Sequence, residues 1–207
     1  MITVIDINLG NTASVCKALK RLTIPYKVTH LSADILSADK LIFPGVGNFG
    51  EAMKRLQEYE LIGPIKTRVL KDKIPILGIC LGMQLFADYG EEGGGCPGLG
   101  LIKGEVTFLR SAEKGMSMPH IGWNEVHFND LELFSSLKEG TCFYFLHSYE
   151  LVLKEPIRAA YCDYAVDFVA AIQKENIFGV QFHPEKSQKA GLELLQNFCR
   201  GREHAAI

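Results

Sequence analysis

The stretch PILGICLGMQLF, residues 75–86, decides the fold. Its first part, Pro75 to Ile79, is a short continuous apolar run, the pattern of a strand buried on both faces. Its last part reads as the start of a helix, MQLFADY. Between them stand Gly78 and Gly82, with Cys80 at the centre. Flanking glycines relieve crowding around a sharp strand-to-helix turn, so G-x-C-x-G matches a nucleophile elbow with cysteine in place of serine. At such a turn the thiol stands at a helix N-terminus, where the dipole favours thiolate over thiol. A core cysteine beside close-packed glycines fits this motif equally well, and the motif alone leaves both readings open.

Outward from this stretch the first half of the chain alternates. ITVIDI (2–7) is of strand type, and NTASVCKALKRL (11–22) places Val15, Ala18, Leu19 and Leu22 at helical spacing behind the capping candidates Asn11 and Thr12. YKVTH and KLIFP read as further strands, and EAMKRLQEYELIGPIKTRVL (51–70) as helix. This alternation predicts a single α/β domain over 1–207, with a mainly parallel twisted sheet flanked by helices. Active sites in such sheets lie at the carboxyl ends of strands. After the glycine-rich GEEGGGCPGLG (90–100), the segments EVTFL, WNEVHF, TCFYFLHSYEL and FVAAIQKENIFGVQFHP predict added antiparallel strands, and SQKAGLELLQNFCRG a closing helix.

The composition narrows the function. With 47% hydrophobic and 22% charged residues and a formal net charge of -2, the chain has no electrostatic attraction for nucleic acid or an anionic membrane. No segment approaches the roughly 18 apolar residues of a membrane span, and no basic residue precedes Lys17, so the expectation is a soluble cytoplasmic protein without a targeting signal. The 6 cysteines form no C-x-x-C pair, which indicates neither a metal site nor a redox dithiol.

A nucleophilic cysteine needs a base, and the base an orienting group. GVQFHPEKS (179–187) supplies both, since His183 ends an apolar strand and Glu185 lies two residues on, with Pro184 restricting the turn between them. A carboxylate on one imidazole nitrogen fixes the tautomer that leaves the other free to take a proton. Taken singly, a histidine such as His183 is more often a capping or surface residue. His120 and His147 lack a carboxylate in this tight arrangement. In FPGVGNFGEAM (43–53), Gly45, Gly47 and Gly50 let backbone N–H groups point inward as an oxyanion site requires, although Pro-Gly by itself marks an ordinary turn. No G-K-[ST] follows and no G-x-G-x-x-G opens the first helix, so a nucleotide site has no support.

Together these residues resemble the class I (triad) glutamine amidotransferases, through G-x-C-x-G-x-Q at Gly78 to Gln84 and H-P-E at His183 to Glu185. Within that family PGVGNFG, PHIGWNEV (119–126), FLHSYE and GVQFHPEKS are similar to the glutaminase subunits of imidazole glycerol phosphate synthases, almost end to end. The resemblance implies Cys80 as nucleophile, His183 as proton shuttle and Glu185 as its orienting carboxylate. It implies Val46, Gly47 and Leu81 as oxyanion donors, and Gly47, Gln84, His147, Ser148 and Tyr149 as positions that bind L-glutamine. No cofactor and no metal are implied.

The chain carries no visible site for a phosphorylated acceptor, so the ammonia must be used elsewhere. The resemblance implies a heterodimer with a separate (β/α)8-barrel cyclase subunit of histidine biosynthesis, met through Trp123, Asn124 and Lys186. Tryptophan often anchors interfaces, although on composition alone a core tryptophan is the more frequent case. Two positions depart from the family pattern, Met118 before Pro119 and Glu150 after Tyr149. They leave open a paralogue feeding ammonia to amidino-sugar synthesis. A γ-glutamyl hydrolase or cysteine peptidase would use the same triad, and a non-catalytic module would be expected to have lost part of it.

Overall fold

The computed structural model describes residues 1–201. The first half runs β1 (Ile2–Ile5), α1 (Thr12–Arg21), β2 (Tyr26–Thr29), α2 (Ser32–Leu36), β3 (Lys40–Gly45), α3 (Phe49–Glu58), α4 (Ile62–Lys66), β4 (Ile76–Cys80) and α5 (Leu81–Gln84). The second half holds β5 (Tyr89–Gly90), β6 (Cys96–Pro97), β7 (Gly104–Phe108), β8 (His120–Val126), β9 (Thr141–His147), β10 (Tyr149–Leu153), β11 (Arg158–Asp163), β12 (Asp167–Lys174), β13 (Ile177–Val180) and α6 (Gln188–Arg200).

The main sheet has 7 strands in the order β11-β12-β13-β4-β3-β1-β2. β2, β1, β3, β4 and β13 are mutually parallel, while β12 and β11 add on antiparallel. The α/β class with a mostly parallel sheet and added antiparallel strands is therefore the observed one. β1 and β4 are buried at every position, as parallel strands covered on both faces must be. Adjacent side chains divide between two cores: Ile42 packs with α1 and α6, whereas Leu41 and Phe43 pack with α2, α3 and α4. That division is the two-residue period of a strand expressed as two layers of helix. Each fully buried Leu, Ile or Phe stabilises the arrangement by about 1.5–3 kcal/mol.

Two predicted helices are shorter than their sequence pattern. The stretch 51–70 breaks after Glu58, with Glu60 at φ 55, and resumes at Ile62. Pro64 lacks an N–H and is tolerated only in a helix's first turn, so a new helix must begin just ahead of it. MQLFADY is helical only to Gln84. Beyond it the turn tightens through Phe86 N–H to Met83 O (3.0 Å) and Ala87 N–H to Gln84 O (3.1 Å) before the chain enters β5. Thr12 opens α1, but Asn11 gives it no side-chain cap. Its amide serves elsewhere.

The antiparallel β8–β9 and β10–β7 pairs realise the texture expected beyond residue 100, whereas β5, which joins the smaller β10-β7-β5-β6 sheet, pairs parallel with β7. In register, Gly45 pairs with Cys80 and Val180 with Ile79. The ends of β1, β3, β4 and β13, four contiguous strands, thus bring residues 6–11, 45–47, 80–84 and 181–185 to one edge.

Candidate active site

The two glycines around Cys80 are required by close backbone approach. A Cβ at Gly78 would stand 2.6 Å from Met83 N, and one at Gly82 would stand 1.8 Å from Phe43 O. Only glycine lets α5 fold back against β4 and β3. Cys80 is held at φ 54, ψ -111, a region costing a residue with a Cβ about 1–3 kcal/mol. This is the strained elbow expected at residue 80. Because α5 is a single turn, it contributes free N–H groups, that of Leu81 included, rather than a long dipole.

β13 delivers the base. His183 N–H donates to Tyr144 O at 2.8 Å, and its ring is fully buried, as is the Glu185 carboxylate. His183 Nδ1 lies 2.8 Å from Glu185 Oε1. Burial opposes charge on this ring, but the Cys80 sulfur and the Glu185 carboxylate outweigh it and raise His183 to about 10. Among the described residues Nε2 has no partner of hydrogen-bonding geometry, and the ring as a whole feels the Cys80 sulfur. The arrangement can therefore pass a proton between the Cys80 sulfur and the imidazole.

Two residues that the sequence reading did not assign to the site complete it. Asn11 sits at φ 68 and donates its Nδ2–H to Glu185 Oε1 at 2.6 Å, with Nδ2 3.2 Å from His183 Nδ1. The capping signal at Asn11 was a true signal of a special conformation, but its side chain steadies the carboxylate. Gln181, fully buried, donates from Nε2 to Cys80 Sγ at 3.6 Å. The thiol points toward Leu146 O at 3.8 Å.

In front of Cys80 opens a cavity of about 450 Å³, whose wall includes Val46, Gly47, Leu81, Gln84, Ser148 and Tyr149. His147 also lines it. All residues expected to bind substrate or oxyanion thus meet at one cavity. Glu92, read only as part of a glycine-rich loop, lines it as well and accepts Phe49 N–H at 2.8 Å. Among the lining residues it is the one carboxylate, a group able to meet an amino group. Gln84 Nε2 donates to Tyr149 O and to Gln181 Oε1, both at 2.9 Å, so its amide oxygen is the end left for a ligand.

The expected oxyanion turn is not set for that task. Val46 N–H donates to Leu9 O at 3.2 Å and is thereby turned away from a substrate. Gly10, at φ 58, lies so close that a Cβ there would be 2.8 Å from Val46 Cγ2. Gly47, at φ 106 with open space around its Cα, leaves the turn room to rotate.

Of the expected partner-contact residues, Trp123 is 45% exposed, so it is not a core tryptophan. Its ring meets Tyr144 edge-on at 6.1 Å, and Lys186 Nζ lies 5.7 Å from the same Tyr144 ring. Asn124 instead turns inward to His120. Glu150 is 1% exposed and forms a bidentate pair with Arg110, Nε to Oε1 at 2.8 Å and Nη2 to Oε2 at 3.1 Å. Met118 packs against the core. Neither departure from the family pattern lines the cavity.

Known proteins resemble the chain along nearly its whole length. A model of the family described as glutamine amidotransferase class-I matches residues 3–201. A Campylobacter jejuni protein named imidazole glycerol phosphate synthase subunit HisH 1 is 46% identical over 201 residues, covering 97% of this chain and 100% of its own. HisH subunits of the same synthase from Aquifex aeolicus and Methanocaldococcus jannaschii are 46% and 43% identical, covering 97% and 96% of this chain and 96% and 98% of theirs. Among solved structures, one described as a glutamine amidotransferase superposes with a TM-score of 0.76 at 19% identity, covering 96% of this chain and 97% of its own. A putative GMP synthase component from Thermoplasma acidophilum gives 0.71 at 22%, covering 96% and 91%. At those identities the superpositions speak for the fold.

Proposed function

The chain belongs to the class-I glutamine amidotransferases, and from that premise we propose that it is the glutaminase subunit of an imidazole glycerol phosphate synthase, releasing ammonia from L-glutamine for a separate (β/α)8-barrel cyclase. The observation that carries the chemistry is the buried set Cys80, His183 and Glu185, of which Cys80 lies on the wall of the cavity. The choice of synthase draws on relatives of the same length and up to 46% identity.

In the first half-reaction the Cys80 sulfur attacks the side-chain amide carbon of glutamine. His183, held by Glu185, gives its Nε2 proton to the departing nitrogen, and ammonia leaves a glutamyl thioester. Water then attacks the thioester with His183 as base, which releases glutamate and restores the thiolate–imidazolium pair. Leu81 N–H is one oxyanion donor. The second, Val46 N–H, becomes available when the turn rotates away from Leu9. Each such donor contributes about 2.7–4 kcal/mol to the transition state. A closed resting turn keeps the free subunit from wasting glutamine, and the partner with its ligand bound supplies the rotation.

Ammonia released to water would mostly protonate and lose nucleophilicity, so the partner covers the site. The exposed cluster of Trp123, Tyr144 and Lys186 beside His183 is the proposed docking point. Among the described residues no helix is long and apolar enough to cross a membrane, in keeping with a cytoplasmic enzyme of amino-acid biosynthesis. The test is glutamine-dependent formation of imidazole glycerol phosphate by the chain reconstituted with the cyclase of its own source. Product is expected. Glutamine hydrolysis without any product, with ammonia passing instead to a sugar-modifying synthase, would reassign the pathway and keep the chemistry.

A further inference from the structure

At the cavity wall adjoin two buried histidines whose rings take no part in the proton transfers. His120 is 1% exposed and His147 6%. They adjoin because β8 and β9 pair in register, His120 opposite His147. His120 stacks on Tyr164 at 4.0 Å and on Phe145 at 5.0 Å between centroids. Burial lowers His120 to about 4 and His147 to about 3, so both rings are neutral at neutral pH.

Their hydrogen bonds admit only one order of protons. His147 Nδ1 lies 2.9 Å from Tyr149 O, and a carbonyl oxygen can only accept, so Nδ1 carries the proton and Nε2 is bare. His120 Nδ1, 3.0 Å from that bare Nε2, must then donate. That leaves His120 Nε2 bare, and Asn124 Nδ2 donates to it at 2.8 Å. The carbonyl at the end of this chain is also the acceptor for Gln84, whose amide holds Gln181 and through it the Cys80 sulfur.

We propose that Asn124 and His120 are positioning residues for the substrate cavity: a one-directional chain from the Asn124 amide through both imidazoles holds the Tyr149 carbonyl, and with it Gln84, in the place that receives glutamine. The inference rests on the reading of this cavity as the glutamine site. It explains why Asn124, beside the exposed Trp123, turns its amide inward. It also gives the His147 side chain a task distinct from its backbone's place in the cavity wall.

Two measurements test it on the full chain. Imidazole nitrogen NMR of the wild-type protein reads the tautomers directly, and both rings are expected with the proton on Nδ1. Calorimetric titration of L-glutamine into the Cys80→Ser chain reads the cavity without turnover. Asn124→Asp is nearly isosteric, but its carboxylate can only accept. It therefore demands a proton on His120 Nε2 and reverses or overcharges the chain, and glutamine affinity should fall at least tenfold with the melting temperature little changed. His120→Asn keeps a donor where Nδ1 stands and should hold affinity within threefold, whereas His120→Leu should lose it. An Nε2 proton on either ring of the wild type would overturn the proposal, and that reading needs no variant to fold. So would equal affinity for glutamine before and after Asn124→Asp. If the Cys80→Ser chain bound no glutamine at all, the functional reading would fail, while the NMR would still decide the direction of the chain.

Discussion

On the β4–β13 side of the cavity the groups for covalent chemistry already stand together, whereas on the β3 side the backbone that should receive the developing negative charge faces the other way. Cys80, His183 and Glu185 are tied by Gln181 and Asn11 into a buried assembly. Val46 N–H, one residue beyond the Gly45–Cys80 pairing, is bonded to Leu9 O. The difference follows from what each side is made of. Side chains anchored on buried strands have few alternatives, while a peptide between Gly45 and Gly47 can turn over at little steric cost. The nucleophile side is thus a fixed part of the fold, and the oxyanion side is the part that can be switched.

The largest effect expected on the fixed side is that of Cys80→Ala. Removing the nucleophile should cut glutamine hydrolysis by about 10⁶-fold, as in other enzymes whose catalytic residues act as a unit, with the melting temperature nearly unchanged because little volume is lost. Glu185→Gln comes next. It keeps the shape but removes the imidazolium's charged partner, and a loss of about 10⁴ in kcat has been typical of such a change in a triad. A normal rate would mean that another carboxylate orients His183. Asn11→Ala removes a charge-assisted hydrogen bond worth about 1.5–3 kcal/mol, so hydrolysis should fall by about ten- to a hundredfold without the partner's activation factor changing. Should the activation factor collapse instead, Asn11 belongs to the switch and the division between the two sides is misplaced.

A smaller effect concerns stability. The folded pKa of His183 is raised above its unfolded value of about 6.5 to about 10, so the folded state binds this proton more tightly. Its contribution is complete below about pH 6.5 and is lost as pH rises through the folded pKa. The difference in melting temperature between wild type and His183→Gln should therefore shrink steadily over that range. A difference that stays flat over that range would show that His183 is held neutral.

Much of this site could be read in advance because its chemistry is written in local patterns. The glycines at 78 and 82 mark a turn that only they allow, and His183 and Glu185 are two residues apart. Asn11, Gln181 and Glu92 were not legible as site residues. Each is polar in a segment with an adequate local explanation, a helix start, a strand end and a glycine-rich loop, and each reaches the site only because sequence-distant strand ends converge. The inward turn of Asn124 depends on the β8–β9 register, which pairs His120 with His147. The orientation of the Val46 N–H could not be read at all, since Gly45 before it permits either one. The helix read over 51–70 is interrupted at Glu60 and restarts ahead of Pro64, and MQLFADY leaves the helix after Gln84, because apolar spacing continues through both breaks.

The asymmetry between the two sides is tested most directly by one rate comparison: glutamine hydrolysis by the chain alone against the chain saturated with its barrel partner and that partner's ligand. One oxyanion donor is worth about 10²–10³ in kcat, so the rate should rise by that factor when Val46 is turned inward. Equal rates in the two samples would contradict the account, because the oxyanion side would then be as ready at rest as the nucleophile.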